Sequence, residues 1–262
     1  MPTRIYLTAP ICVDGPTGTA GEARLHGPQG KLTLAMLALE HRRPVSRDEL
    51  ADELWPDGLP SSYEVSVKVL ISKIRAVLRE VAPDVRLEGT VGYYQLHSAR
   101  STTIDVEDAA ARIHGAEAAF RRGDIDAAAA DGLVASMIGS RTFLPGLDGP
   151  WATSARVRLV DIRLRALELL SQVWLEKNEP DQARRDAEAI LLIDPYREGA
   201  YRTVIRSHLA TGDHASAARA YARCVDRLAA DLGVEPTSET RALLDRARAT
   251  TAPQRSVTPD RR

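Results

Sequence analysis

Cysteine is nearly missing from this chain of 262 residues: Cys12 and Cys224 are the only two, and they lie far apart. So little cysteine excludes a disulfide-stapled scaffold and a cysteine zinc site, and it points to a reducing compartment. Long apolar runs are missing too; nothing approaches the roughly 18 residues that a membrane span needs. The opening MPTRIYLTAP lacks a charged segment followed by an apolar one, so no signal peptide is read. These absences give the expectation of a cytoplasmic protein without membrane contact. Charge of one sign is also lacking. Lys and Arg number 35 against 36 Asp and Glu, which counts against a simple polybasic binder of nucleic acid.

Patterns that hold cofactors or drive catalysis are absent in their turn. GPQGKLT (27–33) resembles a phosphate loop, but Leu25 stands where the first glycine is needed and Leu32 where Ser or Thr should follow Lys31. Glycines 15, 18 and 21 do not make a dinucleotide fingerprint. The six histidines are scattered, and no local Ser/His/Asp or Cys/His constellation can be assembled. The expectation is a protein that is not an enzyme, with no cofactor and no metal.

What is present is organised in two parts. Apolar residues make up 44% of the chain, enough for a sizeable core. Residues 4–8 and 11–13 read as short strands, the Gly/Thr/Pro stretch DGPTGTAG as a turn region, and EARLHG as a further strand. KLTLAMLALE (31–40) reads as an apolar helix. Ser46 is a good N-cap for RDELADELW, and Glu49 completes a capping-box pattern. The acids of that helix, Asp48 to Glu53, read as a solvated face. Residues 61–79, SSYEVSVKVLISKIRAVLR, form a longer helix. After Pro83, Val85 to Glu88 and Tyr93 to His97 read as a hairpin. Helix, turn, helix, longer helix and hairpin is the order of a winged helix-turn-helix, whose third helix reads DNA.

Beyond residue 100 the chain becomes alanine-rich and helical. FRRGDIDAA, LEKNEPDQA and LATGDHASA each place Gly123, Asn178 or Gly212 at a helix end. A small residue follows five positions later: Ala128, Ala183 or Ala217. The last two units are offset by 34 residues, the tetratricopeptide period. The first lies 55 residues before the second, with RTFLPGLDGPW (141–151) as an inserted loop before a helix from about Ala152 to Glu176. The tail TTAPQRSVTPDRR reads as disordered. The expected fold class is therefore mainly α: an N-terminal winged helix-turn-helix (α+β, residues 1–100), then an all-α tetratricopeptide-like helical repeat domain (101–250) and a tail (251–262).

The two halves together resemble the SARP-type regulators of actinobacteria, which join an OmpR-like winged helix to a bacterial transcriptional activator domain. RPVSRDELADELWP, VLISKIRAVL, GYYQL, DPYREGAYR and LAADLGVEPTSETRALL carry the resemblance, over most of residues 25–248. It implies binding to double-stranded DNA at promoter direct repeats, as a homodimer, with recruitment of RNA polymerase holoenzyme and activation. Larger members append an ATPase or a phosphopeptide-binding domain; the helical pattern stops near residue 250 of the 262, so neither is expected here.

The long helix raises its own question. On a helical wheel Val67, Leu70, Ile71, Ile74, Val77 and Leu78 share one side, a core face. The opposite side carries Val65 and Val69 among Ser62, Ser66, Ser72, Lys68, Lys73 and Arg75. Branched methyls can pack on the thymine methyl, which discriminates bases without a hydrogen bond. Lys73 is the candidate for hydrogen-bonded readout, Lys68 and Arg75 for phosphates, and the serines let the helix sit deep. Thr90 and Tyr93 are the candidates from the hairpin. Set against this, the valines could pack on a neighbouring helix or a dimer partner. Leu70 stands where the related pattern often has His, and the hairpin tip carries Glu88 and no Arg. Twelve Lys and Arg cancel twelve Asp and Glu over residues 1–100, so few released counterions and a shallow salt slope are expected. Two other readings stay open: a protein-interaction adaptor with a degenerate winged helix, and a ligand-gated regulator that senses through the helical domain. Tyr196, Arg197, Tyr201 and Arg202 could mark a groove there, although both tyrosines suit a core as well.

Overall fold

The computed structural model describes residues 1–8 and 10–243. The described residues fall into two compact units, one within Met1–His114 with Val134–Arg163, the other of Gly115–Leu133 with residues 164–243. The tail expected at 251–262 lies outside the described residues.

The first unit opens with a small sheet. Strands β1 (Arg4–Tyr6), β2 (Cys12–Gly15), β3 (Gly18–Ala20) and β7 (Thr103–Ile104) lie in the order β3-β2-β1-β7, with β7 parallel to β1 and the other pairs antiparallel. The stretch DGPTGTAG is thus a hairpin, with Gly15 opposite Gly18 across Pro16-Thr17. Gly15 is required there, since a Cβ would meet the Val81 carbonyl oxygen at 1.9 Å. EARLHG is not a strand: Glu22–Leu25 form one turn of 3-10 helix. Only Leu25 turns inward, and the Glu22 carboxylate accepts from Ile11 N at 3.0 Å and Lys31 Nζ at 3.1 Å. Helix α1 (Gly27–Leu39) starts four residues earlier than its apolar run, because Pro28 needs no donor in a first turn.

The winged-helix elements follow. Strand β4 (Val45–Ser46) leads into α2 (Arg47–Leu54), where the capping box forms: Glu49 N donates to Ser46 Oγ at 3.0 Å, and Ser46 N donates to Glu49 Oε2 at 2.8 Å. Helix α3 (Tyr63–Val81) buries Val67, Leu70, Ile71, Ile74, Val77, Leu78 and Val81. Strands β5 (Val85–Thr90) and β6 (Tyr93–Ser98) make the hairpin, extended by β4 into a sheet of order β4-β6-β5. The loop after residue 140 belongs to this unit too. Phe143 and Leu144 are buried in it, and the Arg156 guanidinium donates to the carbonyls of Phe143, Leu144 and Leu147.

Helices α4 (Asp105–Arg121), α5 (Ile125–Gly139) and α6 (Pro150–Glu176) each contribute residues to both units. In the second unit α7 (Pro180–Ile193), α8 (Glu198–Ala210) and α9 (His214–Leu232) pack through Ala187, Ile190, Ala200, Val204, Ala217 and Ala220. The three repeated helix ends take the left-handed conformation, with φ of 79° at Gly123, 59° at Asn178 and 76° at Gly212. The paired alanines Ala128, Ala183 and Ala217 are all buried. Small side chains at those positions let the helix backbones approach closely. Tyr201 is core beside Cys224 and Leu228, whereas Tyr196 is exposed and its hydroxyl donates to Asp231 Oδ2 at 3.2 Å. Burial pushes the Cys224 thiol up to about 11, so it is unreactive.

Candidate nucleic-acid interface

The inner face of α3 is fixed by core packing, and that fixes what the outer face presents. Val65 is 62% exposed and Val69 45%. Ser62, Lys68, Ser72 and Lys73 are exposed with them, and Ser66 and Arg75 are half-buried. Helical spacing puts Val65, Val69, Ser72 and Lys73 on one stripe. Lys68 and Lys73 have no carboxylate partner among the described residues. Ser62 lies just before the helix, and two of the seven candidates within it are partly occupied. Ser66 Oγ donates to the Ser62 carbonyl at 3.2 Å, and Arg75 Nε donates to the Leu87 carbonyl at 2.8 Å. Arg75 therefore braces the hairpin against α3, with its remaining donors on the terminal nitrogens.

The start of α3 is held by α2. Arg47 Nη2 lies 2.9 Å from Glu64 Oε1, and its guanidinium sits 5.7 Å from the Tyr63 ring centre. The Tyr63 hydroxyl donates to Asp48 Oδ1 at 3.1 Å, which raises its pKa. The one acid on this stretch of α3, Glu64, is thus neutralised locally. The acids of α2 are not a plain solvated face. Glu49 closes the capping box and pairs with Arg43 at 2.9 Å. Glu53 Oε1 accepts from Trp151 N at 2.9 Å, capping the first turn of α6. Of these acids only Asp52 has no partner among the described residues. The Glu49 carboxyl is held below its ordinary range, chiefly by the Ser46 backbone N–H.

The hairpin offers a different surface. Its outer face pairs Arg86 with His97, Glu88 with Gln95 and Thr90 with Tyr93. Thr90 and Tyr93 are both exposed, and Val91 at the tip is 98% exposed. Gly92 takes φ 79° in the turn, and its carbonyl accepts from Arg47 N at 2.8 Å. Sequence reasoning missed Arg47, Tyr63 and the outward Val91. For the first two no local signal exists, since their partners are set by packing. For Val91 the turn residue Gly92 is the signal.

Among the described residues, no helix is long and apolar enough to cross a membrane. No group of three or more His, Cys, Asp and Glu among them could hold a metal ion.

A winged helix-turn-helix carrying an exposed third helix, in a chain that continues into tetratricopeptide-like helices, defines a class of bacterial regulator architecture. The chain belongs to that class by family as well: residues 104–248 match the bacterial transcriptional activator domain, residues 25–94 match the C-terminal domain of transcriptional regulatory proteins, and together they make it a member of the SARP-type regulators. It is 30% identical over 224 residues to the regulatory protein AfsR of Streptomyces coelicolor, covering 85% of this chain and 22% of that protein. It is 28% identical over 250 residues to the transcriptional regulatory protein EmbR of Mycobacterium tuberculosis, covering 90% of this chain and 60% of that one. The solved structure of M. tuberculosis EmbR in complex with a low affinity phosphopeptide shares the fold, with a TM-score of 0.81, 23% identity and coverage of 95% of this chain and 66% of that one. The chain thus spans about a fifth of one relative and three fifths of the other.

Proposed function

We propose that this protein regulates transcription by binding double-stranded DNA, with α3 in the major groove. The observation that carries the reading is the outer face of α3, where two exposed valines stand among small hydroxyls and two lysines that have no carboxylate partner among the described residues. Val65 and Val69 pack on thymine methyls, and Lys73 donates to a base edge. Lys68 and the terminal nitrogens of Arg75 contact phosphates, with Ser62, Ser66 and Ser72 close to the backbone. Thr90 and Tyr93 meet the sugar-phosphate chain from the hairpin. Family membership supports the finer reading: an activator that binds promoter direct repeats as a dimer and recruits RNA polymerase, without enzymatic activity.

The hairpin favours a second reading, that of a protein-interaction adaptor. Its tip carries Val91 with Glu88 nearby and no cation. Selection of bound fragments from sheared genomic DNA, at two salt concentrations, separates the two. Regulation through α3 predicts enrichment of a short direct repeat that is lost with Lys73→Ala. A folded protein that enriches nothing sinks the DNA reading and leaves the adaptor.

A further inference from the structure

A second site lies within the helical unit and owes nothing to α3. Glu168, Gln172 and Glu176 recur at fours along one face of α6, and Gly199, Arg202 and Arg206 recur at three and four along one face of α8. These two faces line a cavity of about 500 Å³. A smaller cavity of about 220 Å³ shares Phe120, Glu168 and Gln172 with it, so the two are parts of one elongated groove. A volume of that order is ample for a bound segment.

The walls have distinct chemistry. Phe120 and Leu175 give an apolar strip. The Gln172 amide makes no hydrogen bond, and Glu176 has no cationic partner, among the described residues. A free side-chain amide offers one acceptor and a pair of donors, which matches the C=O and N–H of an extended peptide. On the α8 wall, Arg202 Nε and Arg206 Nη2 each lie 3.3 Å from the same oxygen, Oε1 of Glu239. The Glu239 side chain is 60% exposed. Arg202 also donates to Thr240 Oγ1 at 3.2 Å, which orients its guanidinium. The groove thus already holds a carboxylate between two guanidinia, supplied by an exposed residue that solvent can take back. Two guanidinia around one carboxylate oxygen are a ready receptor for an acidic group.

We propose that this groove binds an extended peptide segment of a partner protein. The segment presents a carboxylate to Arg202 and Arg206, an apolar side chain to Phe120 and Leu175, and a cation to Glu176. Glu239 occupies the carboxylate position in the free chain and competes with the ligand for it.

The test pans a phage-displayed library of random dodecapeptides on the immobilised full chain. The enriched sequences are then measured as fluorescein-labelled synthetic peptides by anisotropy. No DNA is needed, so the result does not depend on the DNA-binding reading. The proposal expects enriched sequences that combine an acidic with an apolar residue at constant spacing. Their affinity should fall about tenfold with Arg206→Ala, the loss of one charge-assisted contact. Glu239→Gln should raise it roughly threefold by weakening the internal competitor. That tightening is a readout that a merely structural role for Arg206 would not give. Failure to enrich any sequence above a protein-free control overturns the proposal. So do binders indifferent to Arg206→Ala, or unmoved by Glu239→Gln.

Discussion

Helices α3 and α9 are both 19 residues long and both bury a single face. Their outer faces differ. The solvent side of α9 holds Ala218, Ala222, Ala229 and Ala230 with Arg219, Arg223, Asp226 and Arg227 between them, Arg227 pairs with Asp231 one turn on at 3.1 Å, and the one large apolar residue exposed is Leu232 at the last position. That is the ordinary surface of an amphipathic helix, with small residues and pairs that cost little and contribute little. On α3 the same geometric positions hold valines, serines and lysines without a carboxylate partner among the described residues. A β-branched residue has no propensity advantage on an exposed helix face. Exposed valines are not confined to α3, since α6 exposes Val157 and Val160; it is their company of serines, and of lysines without a carboxylate partner among the described residues, that argues that α3 is built to meet something.

The two faces of α3 should respond to substitution on different scales. Ile74→Ala removes a buried side chain from the core and should cost about 2–5 kcal/mol in chemical denaturation. Val65→Ala, on the exposed face, should stay within about 0.5 kcal/mol. A large stability loss at Val65 would place it in a packed interface and weaken the contrast with α9. For binding, the order reverses. Lys73→Ala should weaken binding to the selected DNA by about ten- to a hundredfold, the range of a good base contact. Arg223→Ala on α9 should leave it unchanged. Val69→Thr keeps the shape but replaces a methyl with a hydroxyl, and it should cost roughly fivefold, within the range of a single base contact. Replacing thymine by deoxyuridine at the contacted step should cost the wild type a similar factor and the variant almost nothing. Equal losses in both proteins would remove the methyl contact from the account.

Smaller effects test the scaffold that aims α3. Ser46→Ala should cost about 1 kcal/mol through the lost cap on α2. The Glu49 carboxyl is held below its ordinary range, so its contribution is complete above that range and drains away as pH falls through the lowered value. Glu49→Gln should therefore flatten the acid side of the stability profile and leave the alkaline side alone. Smallest of all, Asn178→Gly should raise stability by a few tenths of a kcal/mol, because the left-handed φ of 59° suits glycine better. The matching change at Gly212, Gly212→Ala, should lower it.

The same contrast explains what the sequence made legible. Periodicity exposed both faces of α3, the capping box of α2 and the three left-handed helix ends, because each signal spans a few residues. Strand β4 is two residues long, and β2 with β3 are divided by Pro16-Thr17, too short for alternation to register. Glu22–Leu25 show one inward residue, which a strand and a 3-10 turn share. The Glu53 carboxylate reaches Trp151 across 98 positions, and Arg75 reaches the hairpin carbonyl of Leu87. Neither partner has a local mark, so an acid that caps a distant helix read as a solvated one. For the candidate interface, exposure of the valines was legible and the bracing work of Arg75 was not.

Photo-crosslinking tests the central claim most directly. A selected promoter fragment with 5-iodouracil in place of thymine is irradiated with the full chain, and the crosslinked peptide is identified by mass spectrometry. The account predicts a crosslink within residues 61–79, strongest on the stripe of Val65, Val69 and Lys73. A crosslink confined to the hairpin or to the helical unit, with α3 unmodified, would contradict it.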